Sequence, residues 1–311
     1  MVFKKVLLIN IQESALDKKY WDKIDSLTSS KVFLKKDSPE IMQELKDADC
    51  LLVAFSIPVT KEMIDAAPKL KLICVLATAY GKIDINYAKE KGIVVSNVAG
   101  YSTEAVAEFS IATILENIRQ LEEGKKRGHA GNYDEEGLKA REIKGGIFGV
   151  IGLGSIGKRV AEIANGFGAD VRYWSRQKKD VPFKYQDVDT LIAEADFLSL
   201  NLAQTPDTEN FLNKKRLRSI KKGAVVLNTV PMELVDIDAL VERLSVGDIT
   251  FILDHSDETP KEVMNKLSQF KNCIIYPPMA YITAEARIAK QKIFTENIEN
   301  FLKGKPTNVV N

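Results

Sequence analysis

Residues 147–157 read Ile-Phe-Gly-Val-Ile-Gly-Leu-Gly-Ser-Ile-Gly, an apolar run that ends in the turn Gly152-Leu153-Gly154-Ser155-Ile156-Gly157. A Gly-x-Gly-x-x-Gly turn in isolation says little. Here it follows a run of strand length and opens a segment with Ile156, Val160, Ile163 and Phe167 at helical spacing. Strand, glycine turn and helix in that order form the phosphate-gripping corner of a dinucleotide-binding domain. Gly152 is expected to make the tight turn, Gly154 to let backbone approach a pyrophosphate, and Gly157 to let the helix pack on the strand. The helix start at Ser155 and Ile156 adds N–H groups and the positive end of the helix dipole.

The pattern extends both ways from this turn. Downstream, apolar runs at Val171–Trp174, Phe197–Leu200, Val225–Leu227, Phe251–Leu253 and Ile274–Tyr276 alternate with helical segments. With Ile147–Ile151 they make six strands, the number that two mononucleotide-binding halves require. Upstream, Val6–Ile9, Cys50–Ala54, Ile73–Leu76 and Ile93–Val95 are short continuous apolar runs, the mark of strands buried on both faces. Helical stretches such as Pro39–Lys46 and Ile85–Lys91 separate them, so residues 1 to about 98 form another parallel α/β unit. A long helix over Tyr101–Leu121, capped by Ser102 or Thr103 and carrying Val106, Phe109, Ile114 and Ile118, joins the two series. Gly128–Glu136 reads as loop, and a last helix, Thr283–Leu302, leaves the second series.

Composition narrows the function. At 311 residues the chain is expected to hold two domains. With 45% hydrophobic and 28% charged residues it has the profile of a soluble globular protein. A formal net charge of +1 argues against a broad grip on nucleic acid or an anionic membrane, and Lys125-Lys126-Arg127 reads as a solvated helix end. Cys50, Cys74 and Cys273 lack metal-ligand spacing and read as buried thiols of a reducing compartment. The apolar run near the N-terminus is only about four residues, short of the roughly seven of a signal peptide core, so a cytoplasmic location is expected.

The end of the strand after the glycine turn reports on the dinucleotide. NAD-preferring sites place Asp or Glu there for the ribose 2′-hydroxyl. This chain has Trp174-Ser175-Arg176-Gln177-Lys178-Lys179. Arg176 can pair with a 2′-phosphate, with Ser175 donating a hydrogen bond and Lys178 nearby, so NADP(H) is expected in preference to NAD(H). The alternative is a solvated basic turn.

Taken together, these and further segments resemble the D-isomer-specific 2-hydroxyacid dehydrogenases almost end to end. Leu76-Ala77-Thr78-Ala79-Tyr80 with Ile83-Asp84 is similar to the family's substrate loop in its glycerate dehydrogenase (hydroxypyruvate reductase) branch. Asn97 to Glu108 is similar to the interdomain hinge and helix. Leu227-Asn228-Thr229, Leu234-Val235-Asp236, Leu253-Asp254 and Gly304-Lys305-Pro306-Thr307-Asn308 follow in the family's order. The resemblance implies two doubly wound parallel-sheet α/β domains. One is a flavodoxin-like substrate domain made of 1–98 plus 287–311, the other a Rossmann nucleotide domain over 99–286. It also implies a cleft between them, a homodimer joined through the nucleotide domains, and Thr208, Thr229, Val230 and Asp254 along the cofactor.

The resemblance further implies three catalytic side chains: an arginine that holds the substrate carboxylate, a histidine that moves the hydroxyl proton, and a glutamate that orients the histidine and raises its pKa. Their positions here are Pro231, Pro278 and Thr259, each bracketed at unchanged spacing. Proline has no side-chain donor or acceptor, so two of the three cannot do ionic or acid–base work. Ala79 stands where the family's pattern leads one to expect glycine, and its methyl group narrows the approach of a ligand to the loop Ala77-Thr78-Ala79. Of the two histidines, His129 lies in a polar stretch. His255 follows Asp254 on a strand end and is expected to point to the opposite face. Glu258 is expected to be solvated. Tyr80, Tyr101 and Tyr281 are the better candidates to move a proton, and no metal set is visible.

The expectation is therefore an NADP(H)-binding family member, acting with an unidentified small molecule, whose ordinary 2-hydroxyacid activity is lost or very weak. A rebuilt oxidoreductase site for a ligand without a carboxylate stays open. Two readings stand beside these: a non-catalytic NADP(H) sensor or scaffold, and a turn adapted to another adenosine ligand such as S-adenosylmethionine.

Overall fold

The structure, a computed structural model, describes residues 2–256 and 259–311. The chain divides into two units: one runs to Ser102 and resumes over Thr283–Asn311, and the other is Thr103–Ile282. The crossings fall at helix starts rather than after 98 and 286. Tyr101 packs with the first unit's core, and Thr283 caps the last helix, its hydroxyl oxygen accepting the Ala286 N–H.

In the first unit, strands β1 (Val6–Ile9), β2 (Lys31–Leu34), β3 (Cys50–Val53), β4 (Leu72–Val75) and β5 (Val94–Ser96) form one parallel sheet in the order β2-β1-β3-β4-β5. This is the flavodoxin-like order. Every residue of β1, β3 and β4 is buried, because helices cover both faces. The closing helix, Ala284–Leu302, lies on one face, where Phe294 and Ile298 pack with Leu8, Leu52 and Cys74. The tail then returns along the outer edge of β5. Val310 N donates to the Val95 carbonyl, and the Asn311 side chain bonds both Val95 N and the Ile93 carbonyl.

In the second unit, β6 (Ile147–Ile151), β7 (Asp170–Trp174), β8 (Lys184–Tyr185), β9 (Phe197–Leu200), β10 (Val225–Asn228), β11 (Thr250–Leu253) and β12 (Cys273–Ile275) form a parallel sheet in the order β12-β11-β10-β9-β6-β7-β8. Numbered from its own first strand this is 3-2-1-4-5-6 with a seventh added, the dinucleotide-binding order. The six expected strands are all present, but the third of the sheet is β8, whose two exposed residues carry no apolar run. The long helix ends at Ile118, and Gln120 turns the chain with φ 52° into a second helix, Leu121–His129. Lys125-Lys126-Arg127 lies in that second helix, and the expected loop begins only after His129.

All three cysteines are buried and unbridged, and burial pushes the Cys74 and Cys273 thiols up to about 12. Among the described residues no helix is long and apolar enough to cross a membrane, and no His/Cys/Asp/Glu group could hold a metal ion.

Candidate functional site

The glycine turn follows the C-terminal end of β6 and leads into the helix Ser155–Gly166. Gly152 has φ +93°, and a Cβ there would lie 2.5 Å from the Asn201 carbonyl oxygen. A Cβ on Gly157 would lie 2.0 Å from the Gly152 carbonyl oxygen and 3.1 Å from Val150 Cγ1. Both positions exclude any side chain. Gly154 differs: a Cβ there meets nothing within 4 Å, so the absence of a side chain keeps space open rather than relieving a clash. The helix buries Gly157, Val160, Ala161 and Ala164, leaving Ile156 and Ile163 partly buried and Phe167 46% exposed. The small residues are what bring the helix close to the sheet, so the stripe lies one position off the expected Ile156–Phe167 face.

Beside the turn, Gly152 N donates to the Trp174 carbonyl at 2.8 Å, which sets the end of β7 against the glycines. Arg176 and Lys178 are exposed there and form no ion pair among the described residues. Ser175 directly follows the end of β7. It is 7% exposed, and its hydroxyl donates to the Gln177 carbonyl, because a buried hydroxyl takes the nearest acceptor. Thr208 is similarly occupied, its hydroxyl donating to the Ala203 carbonyl at 2.8 Å and accepting from Thr205 N, so it shapes the loop after β9. Two buried amide oxygens, Asn201 Oδ1 and Asn228 Oδ1, have no hydrogen-bond partner. They follow or end the neighbouring strands β9 and β10, and an unsatisfied buried acceptor costs about 1–3 kcal/mol unless a ligand meets it. An open space at Gly154 and orphaned acceptors on the same sheet edge fit a bound dinucleotide.

Pro231, Thr259 and Pro278 follow the C-terminal ends of three adjacent strands, β10, β11 and β12, the edge on which open α/β sheets bind ligands. Asn228 Nδ2 donates to the Val230 carbonyl at 2.7 Å, fixing the turn that carries buried Val230 between half-buried Thr229 and half-buried Pro231. Pro231, at φ −52°, opens the short 3-10 turn Met232–Leu234. Thr259 donates its hydroxyl to the His255 carbonyl at 2.7 Å. Tyr276 donates to Glu116 Oε2 at 2.6 Å, and Ala280 N donates to Asp254 Oδ2 at 3.0 Å. These two bonds pin both ends of Pro277-Pro278-Met279. Asp254 is 2% exposed, so its carboxylate serves this loop. Tyr281 is exposed beside it, His255 is half-buried, and His129 is exposed in the last turn of its helix. Glu258 lies outside the described residues.

In the first unit the loop Ala77-Thr78-Ala79 leaves the C-terminal end of β4. Thr78 Oγ1 donates to the Val98 carbonyl at 3.0 Å, Asn97 Nδ2 to the Thr78 carbonyl at 2.6 Å, and Val98 N to the Ala77 carbonyl at 2.9 Å. Tyr80 packs half-buried against this unit's core. Tyr101 packs beside Val98 and Phe294, and Lys290 Nζ stands 5.4 Å from its ring centroid. Lys290 was not among the residues singled out from the sequence. A lysine inside an amphipathic helix carries no signal until the helix is docked.

Known proteins share this architecture. Residues 111–280 match the family model described as D-isomer specific 2-hydroxyacid dehydrogenase, NAD binding domain. The chain is 32% identical over 286 residues to the hydroxypyruvate reductase of Blautia hydrogenotrophica, covering 88% of each. It is 33% identical over 284 residues to the glyoxylate reductase of Thermofilum pendens, covering 88% of this chain and 84% of that one. Among solved structures it matches an acyclic imino acid reductase in complex with NADPH and D-Arg, at TM-score 0.86 and 30% identity over 99% of this chain and 100% of that one. It also matches the D-lactate dehydrogenase of Aquifex aeolicus complexed with NAD and lactic acid, at TM-score 0.84 and 27% identity over 96% of each. The chain belongs to the D-isomer-specific 2-hydroxyacid dehydrogenase family. Residues 111–280 are the NAD-binding domain of that family.

Proposed function

We propose that this chain is a cytoplasmic, NADP(H)-binding family member whose ordinary reduction of 2-oxoacids is lost or very weak. The observation that carries the reading is the pair Pro231 and Pro278 at the ends of β10 and β12, where the family resemblance calls for arginine and histidine. Neither can clamp a carboxylate or move a proton. The named relatives are reductases of hydroxypyruvate and glyoxylate, so the test is direct: steady-state reduction of both acids with NADPH saturating. Residual proton transfer, where turnover survives, we assign to Tyr80, Tyr101 or Tyr281. The NAD-binding family match over 111–280 favours a nicotinamide dinucleotide over S-adenosylmethionine at the glycine turn.

NADP(H) preference rests on Arg176 and Lys178, exposed past the end of β7 with no carboxylate between Trp174 and Lys179. The imino acid reductase with the same fold is bound to NADPH, which supports it. NADPH is expected to bind more tightly than NADH in a fluorescence titration. Arg176→Ala should weaken NADPH by about 10- to 100-fold, the worth of a hydrogen bond between charged groups, and leave NADH nearly unchanged. Equal affinities for both nucleotides in both proteins would remove the basis for this preference.

A homodimer through the nucleotide unit is also part of the proposal, on family resemblance. Light scattering at micromolar concentration should return a mass near twice 34.7 kDa. A monomer would overturn it.

A further inference from the structure

With proline at the clamp position, an anionic ligand needs its positive charge from elsewhere. Lys290 is half-buried in the closing helix and makes no ion pair among the described residues. Residues 290, 294 and 297 lie on one helix face. Asn297 Nδ2 donates to the Asn97 carbonyl at 2.8 Å, and one turn earlier Phe294 belongs to the same buried cluster as Val98. A further turn earlier, the Lys290 ammonium stands over Tyr101. The face therefore climbs from Asn97 to Tyr101, the segment to which Ala77 and Thr78 are hydrogen-bonded. Lys290 is thus carried to Tyr101, three residues past the Val98 to which Ala77 and Thr78 are bonded at the C-terminal edge of the sheet. Burial pulls its pKa below the usual lysine range, and no carboxylate offsets that desolvation.

We propose that Lys290 is the carboxylate-binding residue of this protein, holding a small organic acid at the loop Ala77-Thr78-Ala79. The inference rests on the reading above, in which Pro231 occupies the clamp position. A lysine is a point charge on a flexible stem, so it binds a carboxylate without fixing the carbonyl beside it as an arginine fork would. Binding without alignment matches a protein that retains an acid but reduces it poorly.

The test is calorimetric titration of the NADPH-saturated protein with oxamate, a carboxylate that needs no turnover, and with its uncharged counterpart oxamide. Oxamate should bind at least about tenfold more tightly than oxamide. Lys290→Met should lose at least about tenfold in oxamate affinity with NADPH affinity unchanged, and Lys290→Arg should stay within about threefold of wild type. Lys290→Gln serves as the second neutral variant, should the methionine protein fold poorly. Unaltered oxamate binding in a folded neutral variant would overturn the assignment, as would failure of wild type to prefer oxamate over oxamide. Brisk reduction of glyoxylate by wild type would sink the weak-reductase reading while leaving the oxamate comparison intact, so the two failures are distinguishable.

Discussion

Reduction of hydroxypyruvate and glyoxylate is expected to run near the floor of a spectrophotometric assay, even with NADPH fully bound. Absence of a general acid–base alone typically costs about 10²–10⁴-fold. Absence of a charged donor at the developing oxyanion should add about 2–4 kcal/mol, by analogy with oxyanion-hole losses. Pro231 and Pro278 remove both at once. Thr259 adds a third loss, because its hydroxyl is committed to the His255 carbonyl and brings no charge to raise a histidine's pKa. Pro231→Arg, Thr259→Glu and Pro278→His together should recover measurable turnover, with Ala79→Gly opening the substrate loop. Each alone should do little, because residues that act as a unit are strongly non-additive. Wild-type turnover of several per second on either acid would end the degenerate-site reading. Where turnover is absent, mass spectrometry of the ligand released on denaturation separates a dinucleotide site from one adapted to another adenosine ligand.

Alanine at two glycines of the same turn should give opposite phenotypes. Gly157→Ala sets a methyl 2.0 Å from a backbone oxygen, so strand, turn or helix must move. Overpacking of this kind costs about 1–3 kcal/mol or more, several degrees in Tm for a unit of this size. NADPH binding should be lost along with the geometry of the turn. Gly154→Ala meets no atom of the protein, so its Tm should match wild type. Its NADPH affinity should nonetheless fall by at least about tenfold, the methyl standing where the pyrophosphate must approach the backbone. Differential scanning fluorimetry and nucleotide titration on both variants decide the matter. Full NADPH affinity in Gly154→Ala would show that the phosphates do not lie over that residue.

The sheets were legible wherever strands are buried on both faces: β1, β3 and β4 are unbroken apolar runs, and β9 and β10 are apolar but for Ser199 and Asn228. What escaped were edge strands. β2 is only half-buried along its length and β8 is two exposed residues, so neither carries a period that composition can show. The steric demands at Gly152 and Gly157 could be read from spacing, because backbone geometry at that corner leaves no room for a side chain. Hydroxyls could not. Ser175 and Thr208 look like ligand donors in sequence, yet folding hands each a nearby carbonyl. Lys290 is the reverse case: one lysine among many until the docked helix places it over Tyr101.

The tail on β5 has a consequence for how the chain is made. Phe294 and Ile298 complete the packing over Cys74 and Leu52, and Val310 and Asn311 cover the β5 edge, yet all four follow the whole nucleotide unit in the chain. At about 5–20 residues per second, synthesis of residues 103–282 lasts roughly 10–40 s. For that interval the nascent first unit holds an uncovered apolar face and an unpaired parallel edge, both prone to association. The unit translated first is the one finished last, and the order of translation exposes it to chaperones while its neighbour closes.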